Sequence, residues 1–154
     1  MAGPKVLIPY NFTRHDEKCV DFAIQRYGAS QTARITIFHA YIPVPEVEIS
    51  DKTVMGRLAG SFTYLHQKIS ECDEVLKRVA QRMVAAGFSP EQIHTVFKRQ
   101  EKEAAAEIVD AAREGGCETI ILNRRPGAVS KFFTPSVSKK VSLALRDLEI
   151  IMVS

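Results

Sequence analysis

Between Arg124 and Arg146 the chain carries six basic residues (Arg124, Arg125, Lys131, Lys139, Lys140 and Arg146) and no acidic one. They follow Thr119-Ile-Ile-Leu122, a short β-branched apolar run without alternation, which is the pattern of a parallel strand covered on both faces. Ligands of open α/β sheets lie outside the carboxyl ends of the strands, and a following helix N-terminus offers unpaired N–H groups to an anion. Charge and position together point to a phosphate or another small anion. Ser136, Ser138, Arg124 and Arg125 could each hold it through charge-assisted hydrogen bonds, and the alternative is that the two arginines only solvate a loop.

Other chemistry is poorly provided for. The sequence has no Gly-x-Gly-x-x-Gly, no P-loop, no Gly-x-Ser-x-Gly and no His-Glu-x-x-His. Asp16 with Glu17, and Glu101 with Glu103, read as surface carboxylates in helix first turns, where the macrodipole favours them, and not as a catalytic pair. His39 closes an apolar strand with no second histidine at ligand spacing, so it reads as a packed strand residue. No catalytic residue and no metal site is expected. Lys131-Phe132-Phe133 places aromatics beside a charge, a pattern more typical of a shielded sheet end or partner contact than of base stacking.

The elements that position these residues alternate. Val6–Tyr10 reads as a buried strand. Thr13 and Asp16 form a capping box for a helix over 14–27, and Arg34–Tyr41 is a second strand ended by Pro43 and Pro45. Residues 42–57 lack periodicity and read as a mobile loop over the ligand edge. Leu58, Phe62, Leu65, Ile69, Cys72, Leu76, Val79 and Met83 then recur at spacings of four and three in a long helix ending near Gly87. That stripe suits a helix laid on a sheet, and a coiled-coil seam would look similar. Ile93–Lys98 is a more polar edge strand, 103–114 a helix stopped by Gly115-Gly116, and Thr119–Asn123 the fourth strand. Thr134-Pro135 starts a last helix with Val137, Val141, Leu145 and Leu148 inward, and Glu149–Val153 is a final apolar edge strand. Strand and helix in alternation predict one α/β domain over 1–154, a three-layer α/β/α arrangement with a mainly parallel five-stranded sheet.

The totals agree with this. The chain has 154 residues, 45% hydrophobic and 25% charged, enough for one full core. A net charge of +3 does not imply nucleic-acid binding. Three scattered cysteines without Cys-x-x-Cys spacing fit reduced thiols, no apolar run is long enough for a membrane span, and no signal peptide is evident, so a cytoplasmic location is expected.

The strand-loop-helix stretch, the Ser-Val-Ser-Lys-Lys-Val helix start and the terminal Glu149-Ile-Ile-Met-Val153 resemble the C-terminal half of the universal stress protein family. Tyr10-Asn11-Phe12-Thr13 resembles its Val-Asp-Phe-Ser segment, and His39-Ala40-Tyr41 its His-Ala strand end. The resemblance implies the strand order 3-2-1-4-5, a homodimer paired through 149–153, and a nucleotide cleft. By the same resemblance the cleft residues would be Pro9, Asn11, Ala40, Tyr41, Asn123, Arg124, Arg125, Gly127, Ser136, Val137 and Ser138. Nucleotide-binding members carry Gly, two residues, Gly, nine residues, Gly, then Ser or Thr. Here Asn123, Pro126 and Pro135 stand at the glycines, Arg99-Gln100-Glu101 replaces a Gly-Asp-Pro turn, and only Ser136 is kept. Proline locks φ and removes the N–H that a phosphate would use, although Gly127 could stand in after a one-residue shift. Asn11 keeps the shape of Asp without its charge, and either holds a polar contact or satisfies the turn. The expectation is therefore a stress-response binding or interaction module with weak or absent ATP affinity and no resident cofactor. The alternative is an ATP or AMP sensor, with Mg, holding phosphates at 123–138.

Overall fold

Val6, Leu7 and Ile8 are fully buried side by side, so the strand that carries them must have protein on both faces. The computed structural model describes residues 3–44, 52–123 and 135–154, with side chains for all of these except 52–61, 135 and 136. In it, β1 (Lys5–Pro9) lies at the centre of a five-stranded sheet ordered β3-β2-β1-β4-β5. The other strands are β2 (Arg34–Tyr41), β3 (Ile93–Arg99), β4 (Thr119–Asn123) and β5 (Glu149–Val153). All four pairings are parallel, with Val6 opposite Ile35 on one side and Thr119 on the other.

Helices α1 (Arg14–Tyr27) and α2 (Lys52–Ala85) cover one face and α3 (Ala104–Glu114) and α4 (Pro135–Ala144) the other. The pleat assigns residues to the two cores. Val6, Ile8, Ile35, Ile37 and Ile121 meet Cys19, Val20, Ala23, Leu76 and Met83, whereas Leu7, Phe38, Ile120 and Leu122 meet Ala105, Ile108, Val141 and Leu145. Each fully buried Leu or Ile contributes about 1.5–3 kcal/mol relative to exposure, so the strands need no alternating pattern to be stable.

Most helix and strand bounds agree with the sequence to within a residue or two, with two exceptions. The last helix, expected to carry Leu145 and Leu148 on its inner face, ends at Ala144, and both leucines lie in the turn before β5. Residues 52–57, expected as loop, are the start of α2. Gly56 and Gly60 lower its propensity, yet extending an existing helix adds one hydrogen bond per residue fixed, while only nucleation is costly. Residues 42–44 have no regular structure and 45–51 lie outside the described residues. At 34 residues α2 is about 51 Å long, roughly twice the reach of an eight-residue strand. Its second half covers the sheet: Leu76, Val79 and Met83 are buried, while Leu65 and Tyr64 are exposed and Phe62, Ile69 and Cys72 half-exposed. Gly87, at φ +125°, then turns the chain away.

At the two outer strands, β3 exposes His94, Thr95 and Arg99 as expected for a polar edge but also Val96, and β5 leaves Ile150–Val153 half-buried. Among the described residues no helix is long and apolar enough to cross a membrane.

Candidate functional site

The strand order reverses direction between β1 and β4, so the carboxyl ends of these two strands form the switch point where a ligand is expected. The chain leaves β1 through Tyr10-Asn11-Phe12 and enters α1 at Thr13. Phe12 is the single non-glycine residue with positive φ among the described residues, at +61°. That conformation costs about 1–2 kcal/mol, and it is held by edge contacts of the Phe12 ring with Tyr10 and His39 at centroid distances of 5.2 and 4.8 Å.

The turn delivers its donors to one carboxylate. Thr13 caps α1 as expected, its hydroxyl accepting from the Asp16 N–H while the Thr13 N–H donates back to Asp16 Oδ2 at 3.1 Å. Two further donors reach the same oxygen, the Asn11 N–H at 2.9 Å and the Thr13 hydroxyl at 2.8 Å. On the other carboxylate oxygen, Oδ1, Asp16 accepts from the Asn123 side-chain amide at the end of β4. Asp16 is therefore not the surface carboxylate expected from its place in a helix first turn; it is fully buried. The fold brings β4 against α1, and a carboxylate surrounded by four donors tolerates burial.

Beside this network, on the α3 face, lies a cleft with about 280 Å³ of empty space, part of it open to solvent. Pro9, Phe38, Ala40, Ala104 and Ile108 give it apolar walls, and Tyr10, Asn11, His39 and Gln100 complete the lining. The turn from β3 to α3 is fixed by Glu107, which is 2% exposed and accepts from the Glu101 N–H at 3.1 Å and from Lys98 Nζ at 3.3 Å. The Gln100 N–H donates to the Tyr41 carbonyl at 2.8 Å, so Gln100 is held at the rim. Three nearby lysines are paired: Lys98 with Glu107, Lys102 with Asp110 and Lys140 with Glu103.

His39 packs as the sequence suggests. Its ring stacks on Phe97, and Nδ1 donates to the Tyr10 carbonyl at 2.9 Å, which leaves the proton off Nε2 in the neutral ring. Burial lowers its pKa, against smaller opposing effects of the Tyr10 carbonyl and the Asp16 charge. Burial, followed by Glu17 and Asp16, pushes the Tyr10 hydroxyl up to about 12. Burial and then Asp16 push the Cys19 thiol up to about 12 as well, so neither group is an available nucleophile at neutral pH.

Of the residues expected at the site, Pro9, Asn11 and Ala40 line the cleft. Tyr41 lies on the opposite face of the sheet, stacked on Phe97 at 4.8 Å, because adjacent strand residues point to opposite sides. Asn123 is at the switch point but bonded to Asp16. Ser136, Val137 and Ser138 are in the first turn of α4, and Val137 packs against the core of that face. Arg124, Arg125, Gly127, Pro126 and the Lys131-Phe132-Phe133 stretch lie outside the described residues. The sequence reading missed Tyr10, Phe38, His39, Gln100, Ala104 and Ile108. The rule that ligands gather at strand carboxyl ends flags Gln100 and Ala104, which follow β3, but nothing local flags Phe38 or Ile108. Among the described residues no group of three His, Cys, Asp or Glu side chains is placed to hold a metal ion.

The sequence profile of the Universal stress protein family matches residues 4–144. The chain belongs to that family. Its fold is similar to a universal stress protein from Archaeoglobus fulgidus solved with dAMP, at a TM-score of 0.65 and 17% identity over 100% of both chains. It is equally similar to a universal stress protein in complex with cAMP, at a TM-score of 0.65 and 17% identity over 100% of this chain and 98% of that one. A family member from Burkholderia pseudomallei gives 0.64 and 18% over 97% and 94%. No curated protein sequence matches. The expected family and strand order therefore both hold, and at these identities the structural likeness speaks for the fold alone.

Proposed function

We propose that this universal stress protein is a cytoplasmic, dimeric binding and interaction module that performs no catalysis and holds ATP weakly or not at all. One observation carries the reading. Four described donors at the switch point, from Asn11, Thr13 and the Asn123 amide where nucleotide-binding members of the family have a glycine, are already bonded to Asp16. A triphosphate that used these donors would have to displace a buried carboxylate from four hydrogen bonds, each worth about 1.5–3 kcal/mol when one partner is charged. Pro126 and Pro135 act in the same direction by removing main-chain donors.

Further support comes from the rest of the chain. The half-exposed apolar Ile150–Val153 edge of β5 suits pairing with a second copy, and Cys19, Cys72 and Cys117 are all free thiols. Tyr10, which lines the cleft, is held protonated, which argues against nucleophilic chemistry there. A second reading, an ATP or AMP sensor with Mg, is favoured by the open cleft and by the dAMP and cAMP complexes of the structural neighbours.

Isothermal titration of the protein with ATP and magnesium separates the two. The expected outcome is no saturable heat up to about 100 μM ATP; a Kd near 1 μM, equivalent to about −8.2 kcal/mol, overturns the first reading in favour of the second.

A further inference from the structure

The apolar stripe of α2 does not stop where the core stops. Leu76, Val79 and Met83 are buried against the sheet, but Phe62, Leu65, Ile69 and Cys72 carry the same four-and-three spacing along a stretch of helix outside the core, where Leu65 is 39% exposed. In the sequence the spacing runs on through Leu58 to Met55. A helix needs an apolar stripe only where something covers it. A strict seven-residue repeat is the signature of a seam against another helix, because an ideal straight helix drifts from that repeat by about 20° per heptad.

The sheet decides how a second copy could lie on this seam. A parallel partner helix would run on into the space that the sheet fills beneath Leu76 and Met83, whereas an antiparallel one leaves each sheet at its own end of the pair. Such a pairing is two-fold and isologous, so residue i of one copy meets residue j of the other and the reverse. The register that uses the whole uncovered stripe sets position 62 against 65, 58 against 69 and 55 against 72.

The flanking charges favour that register. It brings Asp73 opposite Lys52 on both sides of the two-fold axis and Lys68 opposite Ser61, so unlike charges meet and like charges do not. A slip of one heptad towards the sheet would set Lys68 against its own copy and leave positions 55 and 58 unmatched. Within one chain Lys68 lies 3.6 Å from Glu71 and Asp73 3.6 Å from Lys77, exposed pairs of the kind that is worth little and easily exchanged. Tyr64 stands outside the seam, with Lys68 over its ring at 5.6 Å.

We propose that the uncovered half of α2 is a homotypic interface, through which two copies of this chain pair antiparallel about a two-fold axis between positions 62 and 65. The β5 edge takes no part in it, so the inference goes beyond the function proposed above and does not rest on it.

The layer that joins 55 to 72 provides the test. Positions 55 and 72 of one helix are about 25 Å apart, so a disulfide between them can only join two copies. Cys72 is half-exposed and Cys19 and Cys117 are buried. The full chain, Met55→Cys and Gln67→Cys are incubated with oxidised glutathione and run on a non-reducing gel. The expected result is a covalent dimer as the main species of Met55→Cys, and its loss in the parent, in Gln67→Cys, whose position faces away from the seam, and in Met55→Cys combined with Leu65→Glu. No covalent dimer from Met55→Cys overturns the proposal and leaves the stripe to another partner or to another part of the same chain. A covalent dimer from the parent also overturns it, because only parallel helices bring the two Cys72 residues together. A dimer that survives Leu65→Glu overturns it as a product of random collision. If Met55→Cys does not fold, sedimentation velocity of the parent and Leu65→Glu decides: the mass of the assembly is expected to fall at least about twofold, and equal masses overturn the proposal.

Discussion

Two helices start just beyond the carboxyl edge of the sheet, on opposite faces, and each buries a first-turn carboxylate. At α1 the carboxylate is Asp16, held by neutral donors from its own turn and from β4. At α3 it is Glu107, which reaches back to the Glu101 N–H and to Lys98, a cation that is 40% exposed. The caps differ too: Thr13 completes a full capping box, whereas Glu103 makes no side-chain cap bond to α3. The cleft opens beside the second helix, where Ala104 forms part of its wall. Where the protein satisfies a helix start with its own groups there is no vacancy for a ligand, and where the cap is left open there is room for one.

Removing each carboxylate tests how different the two starts are. Asp16→Ala strands the Asn123 amide and the donors of the turn inside the protein, so it should cost about 3 kcal/mol, read as a fall in the urea midpoint. Glu107→Ala should cost less, about 1–2 kcal/mol, because Lys98 can turn to solvent and only the Glu101 N–H loses a buried partner. Equal losses would erase the distinction between a self-satisfied and a solvent-backed helix start. The smallest effect concerns His39, next to the Asp16 turn. Its pKa is lowered from 6.5 in the folded chain, so the unfolded imidazole takes up a proton that the buried ring refuses. Stability should be full above pH about 6.5 and decline as the pH falls below it, and His39→Phe, which keeps a ring against Phe97, should flatten that decline. A denaturation midpoint that is unchanged from pH 7.5 to 5.5 in the parent would count against a buried neutral histidine.

Much of this architecture is legible in the residues themselves. The bounds of α1, β2, β4 and β5 follow from local signals: the Thr13–Asp16 box, Pro43 and Pro45 after β2, the unbroken Thr119–Leu122 run, and the short terminal strand. The same local signals mislead at Asp16. A first-turn Asp reads as a surface residue until Asn123, 107 positions later, is known to lie against it. Glu107 hides in the same way behind Lys98 and the β3–α3 turn. The heptad stripe of α2 is legible as a stripe but not as a division of labour, because how much of it covers the sheet depends on the length of the strands beneath. The walls of the cleft are apolar residues of ordinary core type, and only the crossing of β2 with α3 makes a cavity of Phe38 and Ile108.

The pairing of Asp16 with Asn123 also bears on how the molecule assembles. A contact that closes a loop of more than a hundred residues is entropically among the last to become worthwhile, so the bond is expected to be absent from the folding transition state. Loss of the Asn123 amide would then leave the refolding rate nearly unchanged and show itself as a shorter native lifetime, making this one polar link a governor of how long the protein stays folded and not of how fast it gets there.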